Sequence, residues 1–485
     1  MHKRLRSGAL ATAGTVLTVA TVMTAMPRSA QAVPSFARQT GLACEACHTV
    51  FPQLTPFGRR FKMNGYTLTT KPGVSDENTS KQSTLSLADL PPISAMVQAT
   101  STWWNAAPYE KKGVGYAQVQ NGDVMFPRQL SLFYAGRISD HLGAYFQLTY
   151  DGASGSIGID NSDLRYSDHT ADNKWVWGVT VNNNPGVQDV WENNPGGWAF
   201  PFIKPAQYPG AKYALGAAEP QIMGLGQTSA GAGAYVFYND SIYAEFSMYR
   251  STANFSSATG NGVVDSVTAN NNSGAIENYA PYWRAAYEKD WGHRSFEIGT
   301  SGMFMKMNQN DVANNTISFS PGLPNDYTDL GVDMQYQYIA GDNIAEFTTN
   351  YWHETQNNNN SLVGAGGTYT NATDNVNWFE AVASYWYQRK IGGSIGYTKQ
   401  WGNNDALLYG NSLGTAGSTN GSLNGSPDTQ WETLEVDYLP WLNTKVMLQY
   451  NIYNEMLGGT NFSQMGHVRS AMDNNTLMLG LWTAF

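Results

Sequence analysis

Residues 44–48 read CEACH and hold the only two cysteines of a 485-residue chain. Two thiols at C-x-x-C spacing followed by a histidine are the donor set of a c-type haem. Both sulfurs add to the haem vinyls, and His48 then lies under the iron as its proximal ligand. A disulfide or a thiol redox pair between Cys44 and Cys47 is the alternative. Neither requires His48, and no βαβ pattern surrounds the motif. The chemistry expected of Cys44, Cys47 and His48 is one-electron transfer through one covalent haem c per chain.

The residues that follow, TVFPQLTPFGRRFKMNGYTL (49–68), must position that centre. Thr55 is a candidate N-cap, Pro56 a first helical residue and Gly65 a stop, so a helix is predicted over 56–64. Arg59 and Met63 share one face at i, i+4, and Phe57 and Phe61 another. Met63 is the first candidate for the distal iron ligand, because a thioether opposite histidine raises the potential. A methionine that only packs is the competing reading, and Asn64 or an open position a third. Arg59, Arg60 and Lys62 could pair with haem propionates or with carboxylates of a surrounding wall. The segment has about forty residues, the length at which a chain needs a metal, cofactor or second surface to fold.

The N-terminus reads as an export signal. Lys3, Arg4 and Arg6 precede an apolar run over 7–26, and Ala30-Gln31-Ala32 is a cleavage site that puts the mature start at Val33. Charged residues are 14% and aromatics 13% of the chain, with 49 glycines. The formal net charge of −10 disfavours nucleic acid as a partner and tolerates cations. Beyond the leader no run approaches the roughly 20 apolar residues of a spanning helix. Strands that meet lipid with alternate residues escape that test.

From residue 92 onward, alternating segments are punctuated by turns and polar loops. In TDLGVDMQYQYIAGDN, Leu330, Val332, Met334, Tyr336 and Tyr338 fall on one face, and Asp329, Asp333, Gln335 and Gln337 on the other. Such segments lie at 92–104, 128–139, 142–151, 157–167, 173–182, 229–239, 241–250, 280–289, 294–306, 328–339, 343–353, 376–388, 391–401, 429–439, 444–454 and 474–485. Tight turns such as Asn239-Asp240 alternate with long loops such as 183–228 and 251–279. Trp175, Trp177, Trp352, Trp378, Trp386, Trp431 and Trp441 lie near strand ends, where interfacial girdles form. The last segment puts Leu477, Leu479, Leu481, Thr483 and Phe485 on one face, like a barrel-assembly signal. A soluble all-β sandwich has no reason to segregate its long loops.

The expected fold is therefore all-β: a 16-stranded antiparallel, porin-like transmembrane barrel of the outer membrane. The plan is a signal peptide at 1–32, a cytochrome segment at 33–75, a linker at 76–91 and the barrel at 92–485. Long loops are expected outside the cell and short turns in the periplasm. A barrel of this size leaves an aqueous lumen, which the haem segment is expected to plug. Asp163, Glu245, Glu297, Asp333, Glu346, Glu380, Glu435 and Asp437 face inward by parity and are candidate partners for its cations.

The stretch PSFARQTGLACEACHTVFPQLTPFGRRFKMNGYTL (34–68) resembles the fused cytochrome–porin family of outer-membrane iron oxidases. Within it, the likeness is nearest to the high-potential monohaem outer-membrane cytochromes c of acidophilic iron-oxidising bacteria. The resemblance covers the haem segment strongly and the barrel by length and layout. It implies an iron:cytochrome c-type oxidoreductase, which oxidises extracellular Fe(II) at the cell surface. Electrons would pass to a periplasmic cytochrome c or a rusticyanin-like blue-copper protein. It carries over to Cys44, Cys47 and His48 and not to Met63. The alternatives are a haem-plugged, redox-gated porin and a conduit for another extracellular donor.

Overall fold

The computed structural model describes residues 35–50, 53–68 and most of 92–485. The predicted leader, the linker 76–91, the cytochrome-segment ends at 33–34 and 69–75, and parts of the long loops lie outside the described residues. Residues 34–485 form one compact unit.

Alternation becomes sixteen long strands. They are β1 (Ile93–Trp104), β2 (Asp123–Arg137), β3 (Leu142–Asp151), β4 (Ser156–His169), β5 (Trp175–Asn182), β6 (Ser229–Tyr238), β7 (Ile242–Ser251) and β8 (Ala280–Asp290). They continue with β9 (Arg294–Asn308), β10 (Asn325–Ala340), β11 (Asn343–Asn357), β12 (Thr373–Tyr387), β13 (Ile391–Gly402), β14 (Thr429–Trp441), β15 (Thr444–Glu455) and β16 (Thr476–Ala484). Each pairs antiparallel with its sequence neighbour, and β1 pairs with both β2 and β16, so the sheet closes. Closure leaves no edge along the long strands. A two-residue strand at Ala275–Ile276 extends the ladder of β9 without joining the ring.

Parity decides what each side meets. In β10, Asp329, Asp333, Gln335 and Gln337 are buried towards the lumen, while Leu330 and Val332 face out. All eight carboxylates assigned inward lie on the lumen side. Five of them are paired within the wall, Asp437 through the Lys445 that also meets Glu435. Arg165 pairs with Asp163, Arg284 with Glu297 and Asp333, and Lys445 with Glu435.

The aromatic girdle is smaller than the sequence suggests. Trp175, Trp177 and Trp441 are exposed on the outside, but Trp352, Trp378 and Trp386 are buried inside the barrel. Trp431 packs against the same inner cluster as Trp352 and Trp378. Trp352 shares parity with Glu346 and Glu354, so its lumen side follows from the strand period.

The short turns gather at one end. Asn239 and Asp240 both have positive φ, 47° and 56°, the hairpin geometry that matches strand twist. Gln388 and Arg389 do the same at 52° and 51°, without glycine or asparagine to ease it. The lumen at this end contains three helices: α1 (Ser35–Thr40), α2 (Cys44–Cys47) and α3 (Pro56–Met63).

Candidate haem centre

The centre begins with a single helical turn. The His48 amide donates to the Cys44 carbonyl at 2.9 Å, so both thiols and the imidazole-bearing residue follow one short arc. Thr55 locks that arc to α3. Its hydroxyl donates to the Ala46 carbonyl at 2.7 Å and accepts from the Gly58 amide at 3.1 Å, and its own amide donates to the Cys47 carbonyl. Thr55 is thus both N-cap and clamp, with Pro56 at the first helical position as predicted. Gly58 is required by contact: a Cβ there would stand 2.2 Å from the Cys47 carbonyl oxygen. Gly65 ends the helix at φ +67°.

The wall holds the segment around its circumference. Arg389 donates to the Thr49 carbonyl at 2.7 Å and to the His48 carbonyl at 3.3 Å. Glu346 accepts from Thr49 and Gln53. Tyr66 stacks on Phe36 and donates to Asp163 at 2.7 Å. Beside it Gln39 donates to the Tyr66 carbonyl and accepts from the Arg137 amide.

Arg59 is fully buried, and its donors go to the wall and to the plug's own Leu54 carbonyl. It bonds Glu288 through two nitrogens, and Gln335, Gln337, Ser295 and the Leu54 carbonyl through the rest. These contacts make Arg59 a plug-to-wall latch, the wall-carboxylate partner weighed for it beside a propionate. Arg60 pairs with Asp240 in a short turn and Lys62 with Glu192 at 3.8 Å. None of the eight carboxylates picked out by parity receives these cations. The helix instead meets Glu288 and Asp240 near the short turns and Glu192 on a segment folded into the lumen.

Met63 is the last residue of α3, at the end away from the Thr55 cap. It is buried in a cluster with Val190, Trp191, Tyr235, Phe237, Tyr243 and Ala286. Its carbonyl accepts from the Tyr235 hydroxyl. This is the packing role of a methionine. Met63→Leu, which conserves volume, is expected to leave the visible spectrum of the purified chain unchanged. Loss of a methionine–iron absorption band in that variant would instead assign Met63 as the distal ligand.

Sequence reasoning missed an inward loop. Residues 184–193 fold into the lumen, where Trp191 donates to Glu288 and Asp189 pairs with Arg284 at 3.2 Å. Lys62 also donates to the Asp189 carbonyl. Burial pushes Glu192 up to about 7 and lowers Lys62, outweighing their mutual attraction on both sides. Arg59–Glu288, at 3.2 Å against 3.8 Å, is the closer of the two latches. Glu288 had a usable signal, since it shares parity with Arg284 on β8. Arg389 had none, because its role depends on which turn lies beneath His48.

The donor set fits a covalent haem. Cys44, Cys47 and His48 are half-buried, with Leu42, Ala43 and Glu45 exposed beside them. Cys44 and Cys47 are not joined to each other. Burial raises the Cys44 thiol and pushes Cys47 up to about 11. A thiol redox centre needs the opposite shift. Thioether attachment, which is completed by dedicated chemistry and then has no titrating thiol, does not.

Closed register, an apolar outer face and a polar, charge-paired lumen define a transmembrane β-barrel of the outer-membrane type, carrying a CxxCH-bearing helical plug. No protein-family model matches the chain, and no curated protein matches it. Solved structures similar to it include OmpT, an outer membrane protein of Vibrio cholerae, at 10% identity and a TM-score of 0.43, covering 81% of this chain and 96% of that one. Salmonella typhi OmpF in complex with daunomycin gives 12% and 0.44, covering 81% and 97%. An anion-selective porin from Comamonas acidovorans gives 12% and 0.42, covering 81% and 98%. The barrel assignment rests on strand register and outward apolar residues rather than on these likenesses.

Proposed function

We propose that this protein oxidises extracellular Fe(II) by one-electron transfer and passes the electron across the outer membrane to a periplasmic carrier. The observation that carries the reading is the seat of the CEACH turn: a haem-type donor set clamped inside a lipid-spanning barrel. A haem c, when bound, supplies a one-electron iron centre of raised potential. Cys44 and Cys47 would tether it and His48 would hold its iron. Thr55, Gly58 and Arg389 hold the arc that carries those three side chains. Aqueous Fe(II) is the substrate; it gives up one electron and leaves as Fe(III). The acceptor, a cytochrome c or blue-copper protein, approaches the short-turn mouth, which this reading places in the periplasm. The resemblance of residues 34–68 to fused cytochrome–porin iron oxidases supports the choice of donor.

The test is reduction of the purified, detergent-extracted protein by Fe(II) at acidic pH, followed by its visible spectrum. A rival reading treats the barrel as a redox-gated porin. The plug and residues 184–193 occupy the lumen at the short-turn end, so conductance in planar bilayers is expected to stay at least about tenfold below that of an open 16-stranded channel. Oxidation state is expected to leave it unchanged. Open-porin conductance that switches with a redox agent would establish the rival.

A further inference from the structure

Where β8, β9 and β10 reach the short-turn rim, the outside of the barrel carries a cavity of about 840 Å³. Its lining includes Trp291, His293, Arg294, Tyr336 and Tyr338. Arg294 is the first residue of β9 and stands directly across from Tyr338 in the ladder. Its guanidinium lies over the Tyr338 ring, 5.5 Å from the centroid. Trp291 is 60% exposed in the adjoining turn. Lys289, the last outward residue of β8, is exposed beside them. Among the described residues neither Lys289 nor Arg294 makes an ion pair. Of the nearby acids, Asp290 uses an oxygen to accept from the Gly292 amide, and Asp342 is not part of the lining.

We propose that this cavity binds the headgroup of an anionic phospholipid. Below the rim, the outward face continues as Tyr336, Phe296 and Ile298, an apolar track towards the middle of the barrel wall. A ligand seated here meets the Arg294 guanidinium and an indole at one end and hydrocarbon at the other. That is the chemistry of an amphiphile with a phosphate at its polar end. Arginine takes a phosphate through two parallel N–H donors, and the indole sits at headgroup depth. The volume falls in the range of ligand pockets, roughly 300–1,000 Å³. The chain's net charge of −10 makes an unpaired basic rim unfavourable for general anion attraction, so local geometry must do the selecting. The inference does not depend on the haem reading.

The experiment is native mass spectrometry of the full-length, detergent-purified protein titrated with phosphatidylglycerol, with phosphatidylcholine and with inorganic phosphate. The expected result is one retained phosphatidylglycerol per chain, held in preference to phosphatidylcholine. Arg294→Ala is expected to weaken it about tenfold, with Arg294→Lys intermediate because it lacks the bidentate fork. Trp291→Leu offers a second variant, expected to weaken retention without removing charge. Heat-modifiable gel mobility checks that each variant is folded. Equal retention by Arg294→Ala would overturn the proposal. So would displacement of the lipid by inorganic phosphate, which would make the site a free-anion site. Loss of an oligomer with unchanged lipid retention would assign the cavity to a second copy of the chain instead.

Discussion

Arg59→Ala is expected to unseat the plug while the barrel stays closed. Arg59 is buried and satisfies Glu288, Gln335, Gln337 and Ser295 at once. Removing it leaves a carboxylate and three other polar side chains without that partner in a closed space. Breaking a buried pair from one side costs about 3–5 kcal/mol, more than the pair's own net contribution, because the remaining charge is stranded. The sixteen strands do not use Arg59 in their ladders, so the cost falls on residues 35–68. The measurement is hydrogen exchange and limited proteolysis. Amides of α3 are expected to lose protection, and cleavage to enter the 49–68 segment, while heat-modifiable mobility reports an intact barrel. Glu288→Ala should reproduce the effect by stranding Arg59 itself. The double variant should cost less than the two singles added together, because they share one contact. Unchanged protection of α3 in Arg59→Ala would mean that Arg389, Glu346 and Tyr66 hold the plug without it.

The barrel was legible because lipid and lumen act on every residue of every strand. All sixteen alternating segments fall on the sixteen long strands, and 142–151 coincides with β3. Errors arose where residue type was read without parity. Trp352, Trp378 and Trp386 look like girdle residues by composition, yet their positions in the two-residue period point them inward. The local chemistry of α2 and α3 was legible for a different reason. Caps and stops act over three or four residues, so Thr55, Pro56 and Gly65 carry their roles in the sequence itself. Partner choice was not legible. Glu288 rather than Glu346 meets Arg59 because of how deep the plug sits, and no periodicity encodes depth. Residues 184–193 were hidden too, since an irregular segment folded into a lumen has no repeat to betray it.

His48→Ala is expected to abolish reduction by Fe(II), the largest functional loss of any single change. Among the described residues no group of three or more His, Cys, Asp or Glu side chains could hold a metal. Loss of an outer partner to a metal ligand costs roughly 10–100-fold, so loss of the ligand itself should exceed about 100-fold in reduction rate. Cys44→Ala should keep a single thioether and a shifted spectrum, whereas Cys44→Ala with Cys47→Ala should leave no haem on a denaturing gel. Gly58→Ala tests the clamp independently. Its Cβ would press on the Cys47 carbonyl, so the haem yield should fall although every ligand remains. These variants separate the readings by where failure appears. Wild-type protein with no haem absorbance would return Cys44 and Cys47 to the disulfide alternative. Haem that dithionite reduces and Fe(II) does not would keep the centre and change the donor. Rapid reduction by Fe(II), lost with His48 and insensitive to Arg294→Ala, would tie the activity to the CEACH turn and to nothing on the outer face of the barrel.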